Sequence, residues 1–203
     1  MAFRAVFWDL GGVILRTHDR SGRARWEERL GLEPRELDRL VFDGEAARLA
    51  AVGKGREEAI WIEVLDRFGL PKSDSQTLAT DFFSGDRVDH ELLDAIRSLR
   101  PAYKTGLISN AWPDLRLWLE ERWGIADAFD TLVISAEVGL AKPDARIYRL
   151  ALDQVRVSPA EAVFVDDLEE NVVAARALGM AAIHFCNSEQ TLRELRQLLQ
   201  AEA

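Results

Sequence analysis

The chain has 203 residues, of which 48% are hydrophobic and 30% charged, and a formal net charge of −9 at pH 7. That length holds one domain of ordinary size plus a smaller insert, and no apolar run approaches the roughly 18 residues of a membrane helix. The negative charge opposes a nucleic-acid or anionic-membrane partner, and Cys186 is the only cysteine, so no internal disulfide can form and a cytoplasmic setting is expected. The start of the chain runs straight into a strand pattern, with no leader pattern before it.

The first element is FRAVFWDLGGVIL, residues 3–15. Its apolar opening predicts a short strand buried on both faces, ending at Asp9. An unpaired carboxylate at such a position costs several kcal/mol, so a cation, backbone N–H groups or both should meet it. Gly11 and Gly12 allow a tight turn and close approach to a ligand; a plain Asp-Gly turn is the simpler alternative. RTHDRSGR (16–23) is polar and reads as a linker. From Ala24 to about Ser84 the patterns are helical: ARWEERLGL, then PRELDRLVFDGEAARLAAV with Pro34 in its first turn, then REEAIWIEVLDRFGL, then SDSQTLATDFFSG. Gly53 and Gly55 separate the second run from the third. The expectation is an all-helical insert over residues 17–85, placed as a lid, between core segments 1–16 and 86–203.

From Asp89 onward strands alternate with helices. HELLDAIRSL is a helix, YKTGLISN a strand, PDLRLWLEERW a helix, DTLVISAE a strand and DARIYRLALDQV a helix. SPAE (158–161) has the form of a capping box. AVFVDD, EENVVAARAL, AAIHF and SEQTLRELRQLLQ complete the alternation as strand, helix, strand, helix. This order predicts an α/β fold with a parallel sheet covered on both faces.

Three further strand ends carry polar groups: Ser109 and Asn110 in GLISN, Lys142 in VGLAKPDARIY, and Asp166 with Asp167 in VFVDDLEEN. Each has a simple alternative as a helix cap or a solvated loop charge. A parallel sheet brings all the tips to one edge, where ligands bind in open α/β folds. Clustered carboxylates call for a cation. Hard oxygen ligands suit Mg²⁺, and an ammonium and a hydroxyl suit a phosphate's remaining oxygens.

The set WDLGGV, ISN, AKP and VDDLEEN, in that order, resembles the haloacid dehalogenase-like (HAD) hydrolase superfamily over nearly the whole chain. DLGGVI, LISN, KPDARIY and FVDD resemble the bacterial HAD phosphatases that include alpha-glucose-1-phosphate phosphatase. The resemblance implies a Rossmann-like core with a C1-type helical cap, and a Mg²⁺-dependent phosphatase acting on a small phosphorylated metabolite, a sugar phosphate among the candidates. A monomer or homodimer is expected. The resemblance also implies Asp9 as nucleophile, with Asp9, Gly11, Asp167 and Asp166 as metal ligands or their support. Ser109 and Asn110 would hold the phosphoryl oxygens, and Lys142 would neutralise Asp9 and the phosphate. The family's usual second Asp, two residues after the nucleophile, is Gly11 here, so general acid–base help worth roughly 10²–10⁴ in rate is absent from that position. Leaving groups that need little protonation, a substitute such as His18 or Asp19, or loss of catalysis would each account for it. The rivals are a non-catalytic binding module and a 2-haloacid dehalogenase; the acid pair opposes the dehalogenase. Trp26, Arg48, Lys54, Arg56 and Trp61 are the insert's candidates for substrate contact, with core packing the alternative for the aromatics. Any of Trp112, Trp118 and Trp123 left exposed would mark a contact surface.

Overall fold

The computed structural model describes residues 2–201. In chain order, β1 (Ala5–Trp8) and β2 (Leu15–Thr17) are followed by five helices: α1 (Ser21–Leu30), α2 (Glu36–Asp43), α3 (Glu45–Ala51), α4 (Glu57–Arg67) and α5 (Ser75–Phe83). Then come β3 (Asp86–Val88), α6 (His90–Leu99), β4 (Lys104–Ser109) and the short α7 (Leu115–Leu117), which runs into a π-helical turn. β5 (Thr131–Ile134), α8 (Ser135–Val138), α9 (Ala145–Val155), β6 (Ala162–Asp166), α10 (Glu169–Leu178), β7 (Ala181–His184) and α11 (Ser188–Ala201) close the chain.

The predicted parallel sheet is present, in the order β5-β4-β1-β6-β7. β1 is central, pairing in parallel with β4 (Trp8 opposite Leu107) and with β6 (Trp8 opposite Val165). Successive strand residues face opposite sides. Val6 and Trp8 therefore join the layer under α6 and α11, with Leu92, Ile96 and Leu195. Ala5 and Phe7 join the opposite layer under α9 and α10, with Ile147, Tyr148 and Ala175. A strand covered on both faces must be apolar throughout, which is why AVFW reads as an unbroken run.

Helices α1–α5 pack around a hydrophobic cluster of their own, including Trp26, Leu37, Val41, Ile60, Trp61, Leu65, Leu78 and Phe82. Several details differ from the sequence reading. The segment after Leu15 is not all linker: β2 pairs antiparallel with β3, Thr17 opposite Asp86, so the two crossings into the helical segment form one ribbon. The run at 34–52 is two helices, because Gly44 is extended (φ −63, ψ 159) and breaks it. Pro34 lies in the turn before α2 rather than in its first turn. The strand expected over 130–137 stops at Ile134, where α8 begins. The capping box at 158–161 is present. Among the described residues no helix is long and apolar enough to cross a membrane.

Candidate active site

All four polar tips meet at the carboxyl edge of the sheet. Asp9 follows β1, Ser109 ends β4, Asp166 ends β6, and Lys142 comes from the loop between α8 and α9. The Lys142 side chain is almost fully enclosed. Its Nζ lies 2.8 Å from Asp9 Oδ1 and 2.6 Å from Asp166 Oδ2, and 5.4 Å from the centroid of the Phe164 ring beneath it. One buried ammonium thus spans two buried carboxylates.

Asp9 Oδ1 also accepts the Leu10 backbone N–H at 2.7 Å. Burial pushes the Asp9 carboxyl up; the Lys142 ammonium opposes that shift, and the charges of Asp166 and Asp167 add to it. The Asp167 carboxyl is also pushed up, first by burial and then by Asp166. Carboxylate oxygens of Asp9, Asp166 and Asp167 lie within 4.8 Å of one another. Gly12 makes that packing possible. Its φ is +77, and a Cβ there would sit 2.2 Å from Asp167 Oδ2, so any side chain would take the space of the carboxylate.

Asp166 is fully committed. Oδ1 accepts from the Leu168 backbone N–H (2.8 Å) and Asn171 Nδ2 (3.0 Å), while Oδ2 accepts from Lys142 and from Asn171 Nδ2 (3.1 Å). A carboxylate has about four acceptor directions, so little is left for a metal, and its geometry is that of a partner to Lys142. Asn171 is a site residue that the sequence reading did not single out. The available signal was a polar side chain in the first turn of the helix after the Asp pair, placed to reach back to the strand end.

The Asn110 side-chain amide is turned to the Lys142 backbone. Its Oδ1 accepts the Lys142 backbone N–H at 2.7 Å, and its Nδ2 donates to the Lys142 carbonyl at 2.8 Å. The amide holds the lysine's backbone from both sides instead of standing free for a phosphoryl group. Ser109 is buried at the β4 tip, and its hydroxyl has no hydrogen-bond partner among the described residues. Gly11 is exposed, and a Cβ placed on it would meet nothing within 4 Å.

The substitute acids fare poorly. Asp19 accepts from the Ser21 N–H (2.8 Å) and hydroxyl (3.0 Å) at the start of α1, and the backbone bond from Ser21 is the main cause that lowers its carboxyl. A carboxyl stabilised as the anion is a poor proton donor. His18 is exposed in the crossing, its backbone N–H donating to Gly85. Of the insert's candidates, Trp26 and Trp61 are buried in the helical cluster, while Arg48, Lys54 and Arg56 are exposed. Trp112, Trp118 and Trp123 are all partly buried. Trp112 lies against Trp61, Phe83 and Phe42, all in the helical segment.

A family model described as haloacid dehalogenase-like hydrolase matches residues 3–179. The chain is 30% identical over 200 residues to the sesquiterpene phosphatase astK of Aspergillus oryzae, covering 97% of each protein. It is 32% identical over 231 residues to the bifunctional epoxide hydrolase 2 of Sus scrofa; the match takes in 100% of this chain but 41% of that protein, so the chain spans only about two fifths of this relative. Among solved structures, a HAD family enzyme of Bacteroides thetaiotaomicron, in complex with magnesium and inorganic phosphate, matches with a TM-score of 0.71 at 20% identity, over 90% of this chain and 93% of that one. That last likeness is one of fold.

Proposed function

The chain belongs to the haloacid dehalogenase-like hydrolases, and from that premise we propose that it is a Mg²⁺-dependent phosphatase of a small phosphate monoester, working through a phosphorylated Asp9. The observation that carries the reading is the Lys142 ammonium 2.8 Å from Asp9 and 2.6 Å from Asp166. The phosphatase relative from Aspergillus oryzae and the magnesium and phosphate of the Bacteroides structure support it.

The donor set fits a divalent cation. Three clustered carboxylates face one ammonium, so the site carries uncompensated negative charge, and its donors are hard oxygens. Asp9, Asp167 and the Gly11 carbonyl would hold the ion, and Asp166 would support them through Lys142. Bound there, Mg²⁺ supplies charge neutralisation between an anionic nucleophile and an anionic ester.

The chain's own residues do the rest. Lys142 sits on Asp9 Oδ1, draws off its negative charge and is placed to meet the phosphoryl oxygens as charge develops on them. The free Ser109 hydroxyl is available to the same oxygens. Asn110 fixes the lysine through its backbone, which makes it a positioning residue. An Asp9 oxygen attacks phosphorus, and the ester P–O bond breaks with its electron pair going to the leaving oxygen. Water then attacks phosphorus, the bond to Asp9 breaks, and phosphate leaves with the water's oxygen. Residues 17–85 act as the cap that shields the first step from water. With glycine at position 11 and Asp19 tied to α1, the leaving oxygen departs without a proton from the enzyme, which favours stable anions.

Release of phosphate from p-nitrophenyl phosphate tests this directly. We expect turnover with Mg²⁺, none with EDTA, and none for Asp9→Asn with Mg²⁺. Turnover unaffected by EDTA or by Asp9→Asn would overturn the mechanism. Gly11 is what favours a non-catalytic phospho-ligand module, and such a module would bind without turnover. A 2-haloacid dehalogenase would instead release halide without Mg²⁺.

A further inference from the structure

One face of α2 runs from the β2–β3 ribbon to the loop after β4. Asp38 and Phe42 lie four residues apart on the helix, so their side chains share that face. At one end Asp38 accepts from Arg20 (2.6 Å) and from the buried Arg23, which also bonds Asp86 of β3 at 2.9 Å. This ties the helix to the β2–β3 ribbon, which continues directly from the Asp9–Ile14 turn. At the other end the Phe42 ring stacks on Trp112, with centroids 5.9 Å apart and planes at 28°. Trp112 comes three residues after Ser109. Phe42 is therefore held against the segment that follows the Ser109 tip, yet half of it (50%) is open to solvent. Among the described residues it is the one aromatic ring in the set of exposed large hydrophobics. Its aromatic neighbours are Phe82 at 5.6 Å and Trp112, and Trp112 in turn edges on Trp61 and Phe83.

An open aromatic face beside a site built from charge calls for an apolar ligand group. The chemistry at position 11 narrows that group. With no acid to protonate it, the leaving oxygen must be stable as an anion, and a phenol, with a pKa of about 10 like that of tyrosine, meets this where an aliphatic alcohol does not. A sugar can also stack on such rings, but the exposed Phe42 ring offers its hydroxyls no hydrogen-bond partner.

We propose that Phe42 and Trp112 bind the alcohol portion of the substrate, and that the substrate class is aryl phosphate monoesters. This rests on the phosphatase reading above and adds the identity of the leaving group. The P–O bond breaks with its electrons on the phenolic oxygen, and the phenolate takes its proton from solvent.

The test compares kcat and KM for 1-naphthyl phosphate, glucose 1-phosphate and acetyl phosphate, the last having no apolar body, in the parent and in Phe42→Ala and Phe42→Tyr. The parent should prefer the naphthyl ester over the sugar ester by about tenfold or more. Phe42→Ala should lose about tenfold more kcat/KM on the naphthyl ester than on acetyl phosphate, mainly in KM, and Phe42→Tyr should restore it. Equal losses on naphthyl phosphate and acetyl phosphate would show that the ring only latches the helical segment to the sheet, and would overturn the proposal. A parent that prefers glucose 1-phosphate would overturn it as well. A parent that turns over none of the three would instead overturn the phosphatase reading, and this one with it.

Discussion

Lys142 is fixed at both ends: its ammonium by Asp9 and Asp166, its peptide by the Asn110 amide. A long side chain carries high rotamer entropy, so this double anchorage is what turns a flexible cation into a placed one. The tip residues were legible in the sequence, because a polar group ending a buried strand must find a partner or a ligand close by. Asn110's role was not, because spacing gives a residue's position in a loop and not the direction of its amide. Asn171 escaped notice for a related reason: its partner becomes visible only once β6 and α10 are folded against each other. Position 11 yields the sharpest prediction at this scale. A Cβ there meets nothing within 4 Å, so Gly11→Asp should fold normally and place a carboxyl beside Asp9. We expect turnover of an alkyl phosphate to rise by about 10²-fold, with a much smaller gain on p-nitrophenyl phosphate. A steady-state comparison of the two esters checks this, and equal changes would mean that no acid had been installed.

Between elements, the decisive contact lies between the loop after α3 and α8. Gly53 has φ +72, and a Cβ on it would stand 2.2 Å from the Ala136 carbonyl. The helical segment thus rests on the short helix that leads into the Lys142 loop. Gly53→Ala adds backbone strain of about 1–2 kcal/mol and pushes the loop off α8. A Tm fall of about 3 °C is expected, together with a fall in kcat/KM larger than that loss of stability accounts for. Thermal unfolding alongside kinetics separates the two effects. The helices themselves were readable from their apolar spacing, and so was the break at Gly53 and Gly55. The ribbon was not. LRT and DRV are three-residue strands of intermediate or no burial, too short and too polar to show a period of two. The split at Gly44 was missed because the apolar pattern carries on past it.

For the whole molecule, charge sets the approach of substrate. A net charge of −9 repels a phosphate ester until it nears Lys142. Added salt screens that repulsion, with a screening length of about 8 Å at physiological ionic strength. We expect kcat/KM to rise about twofold between low and physiological ionic strength at fixed Mg²⁺, with kcat constant; a steady fall would show that the local positive site governs encounter. Length, composition and alternation were enough to read the α/β architecture, since a parallel sheet is what such alternation can build. The β2–β3 ribbon has one more consequence. Thr17 and Asp86 face each other as register partners, joined by a hydrogen bond of 2.6 Å from Thr17 Oγ1 to Asp86 Oδ1. Entry and exit of the helical segment are therefore as close as the two ends of a hairpin, and an Asn-Gly turn would bridge them. Residues 18–85 can therefore be exchanged for a transplanted segment of another shape without re-threading the sheet, so selectivity can diversify over an unchanged set of strand tips.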